Sequence, residues 1–163
     1  MPHRTYSNNE IRIVWDSSLC IHVGFCISNG DGVFEPGRRP WVEMDRAATD
    51  TIIAAIETCP SGALRYEYLD GRQGEIPDSP TTVVPWPNGP LTIRGELDVR
   101  DRRGTSFLVG PRTALCRCGA SGNQPFCDLS HKQSGFKDHP RADTAGRSHA
   151  ECPGDISQTP LEP

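Results

Sequence analysis

Apolar residues come in short, separated groups rather than in one long core pattern. Ile11 to Trp15 (IRIVW) is apolar enough for a strand. Val33–Phe34 and Trp41–Val42 are two further short pieces on either side of the turn EPGRRP. Thr49, Ile52, Ile53, Ile56 and Cys59 then recur at helical spacing. They predict a helix from about 46 to 58, capped by Asp45 or Thr49 and ended by Pro60. Leu64, Tyr66 and Tyr68 alternate within 63–69 and predict a strand.

Pro77, Pro80, Pro85, Pro87 and Pro90 keep the next stretch extended, with Val83, Val84 and Trp86 available to pin it to either side. From Leu91 the alternation returns. Leu91, Ile93, Leu97 and Val99 face one way and polar residues the other, which predicts a half-buried strand over 91–100. DRRG reads as a hairpin turn and Phe107 to Val109 as the returning strand. Residues 113–118 lead on in extended form. After Phe136 the chain is polar and without periodicity. The pattern describes an α+β protein in four parts: a first domain at 1–75, a Pro-rich connector at 76–90, a small antiparallel sheet domain at 91–137 and a polar tail at 138–163.

Composition narrows the picture. Hydrophobic residues are 35% of 163, a thin core for that length, while Gly 16 and Pro 15 are typical of loop-rich folds built around cofactors. A net charge of −4, with its acidic excess in residues 1–75, argues against nucleic acid as a partner. MPHRTYSNNE lacks the apolar stretch of a signal peptide, and no apolar run approaches the roughly 20 residues of a membrane span. The expectation is therefore a cytoplasmic protein with no membrane partner. Its seven cysteines are then better read as metal ligands than as disulfides.

The densest chemistry is CRCGASGNQPFCDLSH, with Cys116, Cys118, Cys127 and His131 spaced C-x-C-x8-C-x3-H. Soft thiolates with one imidazole at short range make a metal site. Cys116 and Cys118 share a face in an extended segment; Cys127 and His131 share one on a helical turn. Two pairs from two kinds of local structure suit a two-iron cluster better than a single ion, the alternative being a Cys3His zinc site. The first half offers Cys20-x5-Cys26 and Cys59 followed by Pro60. Three thiolates suit a 3Fe–4S cluster, and a 4Fe–4S cluster needs a fourth ligand, for which His22 is the nearest candidate. The bland alternatives are cysteines buried as small core residues and a His22 that faces solvent or hydrogen-bonds a sulfide. Cys152, with His149 three residues before it, reads as a free thiol on the tail.

Cys116, Cys118, Ser121, Pro125, Cys127, Asp128, Ser130 and His131 fall on the pattern C-x-C-x2-[ST]-x3-P-x-C-D-x-[SAT]-H, and the stretch resembles the CDGSH iron–sulfur family. Leu129 departs from it, standing where that family has its name-giving glycine. The resemblance implies a 2Fe–2S cluster held by three Cys and one His. Cys20, His22, Gly24, Cys26, Val33–Phe34, Pro40–Trp41 and the run CPSGAL from Cys59 resemble the divergent single-cluster ferredoxin domain of bacteria, often fused to a CDGSH domain. That implies a ferredoxin-like α/β fold for the first half.

Supporting roles follow for the rest of the motif. Ser121 is expected to donate its hydroxyl to a sulfide or cysteine sulfur, Pro125 to stiffen the approach to Cys127, and Asp128 to cap orphan amides. Because imidazole replaces one thiolate, the second cluster should have a higher, proton-coupled potential than a plant-type ferredoxin. No catalytic constellation or phosphate-binding loop is present, so the expectation is a two-cluster electron-transfer protein that serves partner oxidoreductases, as a monomer or homodimer. The alternative is a carrier of 2Fe–2S clusters or a redox and pH sensor.

Overall fold

A computed structural model describes residues 3–141. Cys152, His149 and the tail from 142 on lie outside the described residues.

The first half is an antiparallel three-stranded sheet with two helices. His3–Ser7 forms β1, Ile11–Asp16 forms β2 and Leu64–Tyr68 forms β3, in the order β1-β2-β3. β1 has no apolar signature and is an addition to the sequence reading; it pairs with β2 from His3 opposite Asp16 to Ser7 opposite Arg12. β2 is central, and Ile11 and Ile13 point into the core. A short helix α1, Phe25–Asn29, carries Cys26 where only a loop was expected. Helix α2 spans Thr49–Glu57, and Ile52, Ile53, Ala55 and Ile56 pack beneath the sheet with Val33, Phe34, Val42 and Met44. Burial of each such side chain contributes about 1.5–3 kcal/mol.

α2 begins later than the periodicity predicts. Ala47 is extended, so Asp45 is cut off in a separate 3-10 turn at Met44–Arg46, and the cap position is Ala48, which makes no side-chain bond. Thr49 instead accepts a hydrogen bond from Asn8 at 3.1 Å.

The second half is a sheet of order β4-β5-β6, made of Thr82–Pro85, Leu91–Arg94 and Arg112–Leu115. The stretch expected to be a connector supplies β4. Val83 and Val84 are exposed, while Trp86 does the pinning: its indole donates to Thr92 at 3.0 Å and its ring lies 6.0 Å from Phe25 of the first half. The predicted strand over 91–100 stops at Arg94. Gly95 takes φ +142°, and a side chain there would strike Thr81, so the chain turns away. The alternation of Leu97 and Val99 survives only as an isolated bridge between Arg100 and Ser106. Phe107 to Val109 is not a strand. Phe107 donates its N–H to Val99 and sets its ring edge-on to Phe126 at 5.5 Å, and Leu108 is exposed. β5 therefore pairs with β4 and β6 rather than with a 107–109 strand.

Candidate metal centres

The second centre grows from the end of β6. Cys127 donates its N–H to Ala114 at 2.9 Å, Cys116 donates to Pro125 at 2.8 Å, and Leu115 bridges Phe126. These bonds fold the 116–127 loop back on itself and bring Cys127 beside Cys116. The sulfurs of Cys116 and Cys118 lie 3.6 Å apart. A 3-10 turn at Ser130–Lys132 presents His131, whose Nδ1 is 3.4 Å from the Cys127 sulfur. The two expected pairs are thus each close within themselves. Among the described residues, no three His, Cys, Asp or Glu side chains close around a position for one ion.

Asp128 ties the two arms of the loop together. Its Oδ1 accepts from the Ser130 hydroxyl at 2.6 Å and amide at 3.0 Å, and its Oδ2 accepts from the Gly122 amide at 2.8 Å. These donors, the Ser130 hydroxyl foremost, hold its carboxyl at about 2. Ser121 does something other than expected. Its hydroxyl donates to the Phe126 carbonyl at 2.6 Å and accepts from the Asn123 amide at 3.0 Å, so it braces the loop rather than serving a sulfur. The donors near sulfur are instead the amide of Ala120 to Cys118 (3.4 Å), the amide of Leu129 to Cys127 (3.5 Å) and the Gln124 side chain to Cys116 (3.5 Å).

Electrostatics divide the thiols. Burial raises Cys116, but the Ser121, Gly119 and Cys118 amides and the Cys118 thiol outweigh it and bring the thiol below its ordinary value. Burial pushes Cys127 up, and burial followed by Lys132 pulls His131 down. A lowered imidazole is neutral near pH 7, the form that can ligate a metal.

The first centre lies around a cavity of about 340 Å³ whose walls include Cys20, Cys26, Cys59, His22, Trp15 and Trp41. Cys26 is the second residue of α1, and Cys59 follows the end of α2, where its amide donates to Ile56 at 3.0 Å. Burial, with the nearby Cys59 and Cys20 thiols adding to it, pushes Cys26 up to about 11. Burial also raises Cys20. His22 lines the same cavity but is exposed and holds a positive φ of 44°.

Both centres fit iron–sulfur chemistry. Thiols grouped this closely are soft donors that bind metal as thiolates, and coordination removes their protons, including those of Cys20, Cys26 and Cys127 that burial holds on. At the first centre the buried indole N–H of Trp15 has no hydrogen-bond partner among the described residues and lies beside Cys20, where a sulfur acceptor would satisfy it. Arg4 and Arg39 stand on the cavity wall and favour an anionic occupant.

The two centres meet through residues that the sequence did not single out. Ile21, next to Cys20, packs with Ala114 and Cys127, and Val23 and Leu129 close over that contact. Leu19, Ala63 and Phe126 form a second patch that touches Cys20, Cys59 and Leu115. Arg112, from β6, runs into the first half and donates to the carbonyls of Ile56 (2.7 Å), Leu64 (3.0 Å) and Cys59. Gly62, at φ +68°, lies so close to the Arg112 backbone that a Cβ would sit 2.3 Å from its carbonyl oxygen. In sequence Arg112 is one more charged residue beside a glycine–proline turn, and nothing local distinguishes it.

Comparison with known proteins separates the same two halves. Residues 6–68 match the family described as divergent 4Fe-4S mono-cluster, and residues 88–132 match the iron-binding zinc finger of CDGSH type. The uncharacterized protein YjdI of Escherichia coli strains K12 and O157:H7 is 33% identical over 66 residues, which are 40% of this chain and 87% of that protein. The chain belongs to the divergent 4Fe–4S mono-cluster family through its first half and carries a CDGSH-type iron-binding domain in its second, so it is an iron–sulfur protein.

Proposed function

We propose that the protein transfers electrons between partner oxidoreductases and holds two clusters in one chain. Cys116, Cys118, Cys127 and His131 (through Nδ1) would hold a 2Fe–2S cluster. Cys20, Cys26 and Cys59 would hold the other in a ferredoxin-like domain; the family's description favours 4Fe–4S, with His22 on the cavity wall as the candidate fourth ligand, over 3Fe–4S. The carrying observation is that the ligands fall into two groups that abut through two small apolar clusters, Ile21 with Ala114 and Cys127, and Leu19 with Ala63 and Phe126. Bound clusters of these types exchange single electrons.

The chain's own residues bind, orient and shield. Asp128 and Ser121 fix the 116–131 loop, and the amides of Ala120 and Leu129 direct partial positive charge at sulfur. Ile21, Val23, Leu129 and Phe126 form the apolar packing between the two groups. Among the described residues no helix is long and apolar enough to cross a membrane.

The test is anaerobic purification with iron and sulfide counts and EPR before and after reduction. About six irons per chain would indicate 4Fe–4S plus 2Fe–2S, and about five would indicate 3Fe–4S plus 2Fe–2S. Zinc without sulfide would end this reading. Fast transfer of the 2Fe–2S cluster to an apo-acceptor would favour the carrier function instead.

A further inference from the structure

The three cysteines of the first centre and the four ligands of the second sit in sequence segments that are far apart. In space, the residues beside them interlock. Ile21 is 2% exposed and Cys127 3% exposed, and with Ala114 they form one buried cluster. Ile21 stands between Cys20 and His22. Val23 extends the contact toward Leu129, two residues from the Cys127 ligand position. On the other side, Leu19 and Ala63 close on Phe126, which precedes Cys127, and Cys20 and Cys59 border that patch. Asn123, within the second ligand loop, donates to the Ser18 carbonyl at 3.0 Å. Arg112 holds the Cys59 carbonyl from the strand that ends at Cys116.

Leu129 gives the clearest sign that this contact is built. It holds φ +75°, a left-handed conformation that disfavours a leucine and that glycine would adopt without strain. The leucine side chain packs against the cluster of Ile21, Ala114 and Cys127, and so onto the first half.

We propose that the two centres retain their clusters cooperatively: metal bound at Cys20, Cys26 and Cys59 fixes the 20–26 loop, and that loop, through Ile21 and Val23, clamps Cys127 and Leu129 and slows loss of metal from the second centre. This rests on the two-cluster reading above. α1 is a five-residue helix whose Phe25 and Ile27 are both exposed, and beyond Phe25 against Trp86 and Cys26 on the core it has few ties, so loss of its ligand bonds loosens the loop. Metal binding that orders a segment is folding free energy, and any second site packed on that segment shares it. By linkage the two affinities are raised by the same factor in both directions.

The experiment uses the full chain as wild type, Cys26→Ser, Ile21→Ala and the double variant, each loaded anaerobically. Iron and sulfide are counted first, so that failure of the two-cluster reading shows as a missing cluster in the wild type before any rate is measured. Loss of the second cluster to excess EDTA is then followed by visible circular dichroism. Cys26→Ser is expected to lose it about fivefold faster or more. Ile21→Ala, which removes no ligand, is expected to keep full iron yet release the second cluster at a similarly raised rate. The double variant should be no faster than either single one. Equal rates in wild type and Cys26→Ser would overturn the proposal, as would strictly multiplicative rates in the double variant. Should Cys26→Ser fail to load its second centre, the reverse direction decides. In His131→Ala, amide exchange across 20–27 should quicken while β2 keeps its protection, and unchanged exchange in that loop would refute the coupling.

Discussion

Glu75 grips Arg112 through both carboxylate oxygens, Oε1 to Nε at 2.6 Å and Oε2 to the terminal nitrogen at 2.7 Å, with the two side chains 9% and 1% exposed. The pair joins the end of the first half to the strand that leads into the second centre. Since the guanidinium also serves the carbonyls of Ile56, Cys59 and Leu64, it closes the C-terminal end of α2, where backbone acceptors have no helical donors. Arg112→Met would leave Glu75 buried without its cation. The expected loss of stability is about 3–5 kcal/mol, read from urea denaturation of the metal-free protein. Arg112→Met with Glu75→Gln should recover part of that, but not all, because the carbonyls of Ile56, Cys59 and Leu64 each lose a charged donor. A neutral single substitution would contradict this account of the joint.

Leu129 sets packing against backbone strain, and substitution separates the two. Leu129→Ala removes the packing on the Ile21, Ala114 and Cys127 cluster and keeps a β-carbon at φ +75°. Leu129→Gly removes the same contact but relieves the strain. The alanine variant should therefore be less stable than the glycine variant by about 1 kcal/mol, measured by chemical denaturation without metal. The reverse order would mean that the local backbone is not strained by leucine.

The raised Cys26 thiol makes a pH prediction. Folded, it holds its proton to about 11; its ordinary value is 9.0. Between those values the unfolded chain has released a proton that the folded chain still binds, so the stability of the metal-free protein falls as pH rises. Below about 9.0 both states are protonated and Cys26 contributes no slope. Cys26→Ser should flatten the decline, as read from denaturation midpoints at a series of alkaline pH values. An identical slope in that variant would assign the effect elsewhere.

His131 is the single neutral donor among the ligands proposed for the second centre. His131→Cys adds a thiolate, and so a negative charge, at the same place. The midpoint potential of that cluster should fall, and its loss in mild acid should slow, since the protonatable imidazole is gone. Potentiometric titration with EPR, together with absorbance decay at acid pH, reads both; no change in either would remove His131 from the ligand set.

The parts legible in the chain are those whose signal is local. IRIVW is β2 nearly residue for residue, because its period of two and its β-branched residues describe a pleated surface. α2 is legible in its buried stripe but not in its start, which an extended Ala47 moved to Thr49. The sheet of the second half was misread over 95–109. A sustained alternation there looked like a long hairpin, yet Gly95 ends the strand and the partners of β5 come from either side of that stretch. Alternation records which residues face which way and carries no record of which strand lies beside them.

The sequence by itself determined the chemistry of this protein. Cysteine and histidine spacing, set by covalent chain length and by the two local periodicities, groups the donors into two sets and names the metal class each suits. Only the tertiary structure decided that the two sets abut. Ile21 and Cys127 in one buried cluster, Val23 and Leu129 packed against it, and Arg112 on the Cys59 carbonyl bring together residues far apart in the chain, Ile21 and Cys127 by 106 positions. Such contacts depend on how two sheets pack in three dimensions, and no window along the chain contains both partners. The buried arginine shows the reason most plainly: its charge reads as solvent-facing in sequence, and only the carboxylate of Glu75 and three carbonyls arriving from elsewhere make the interior an acceptable place for it.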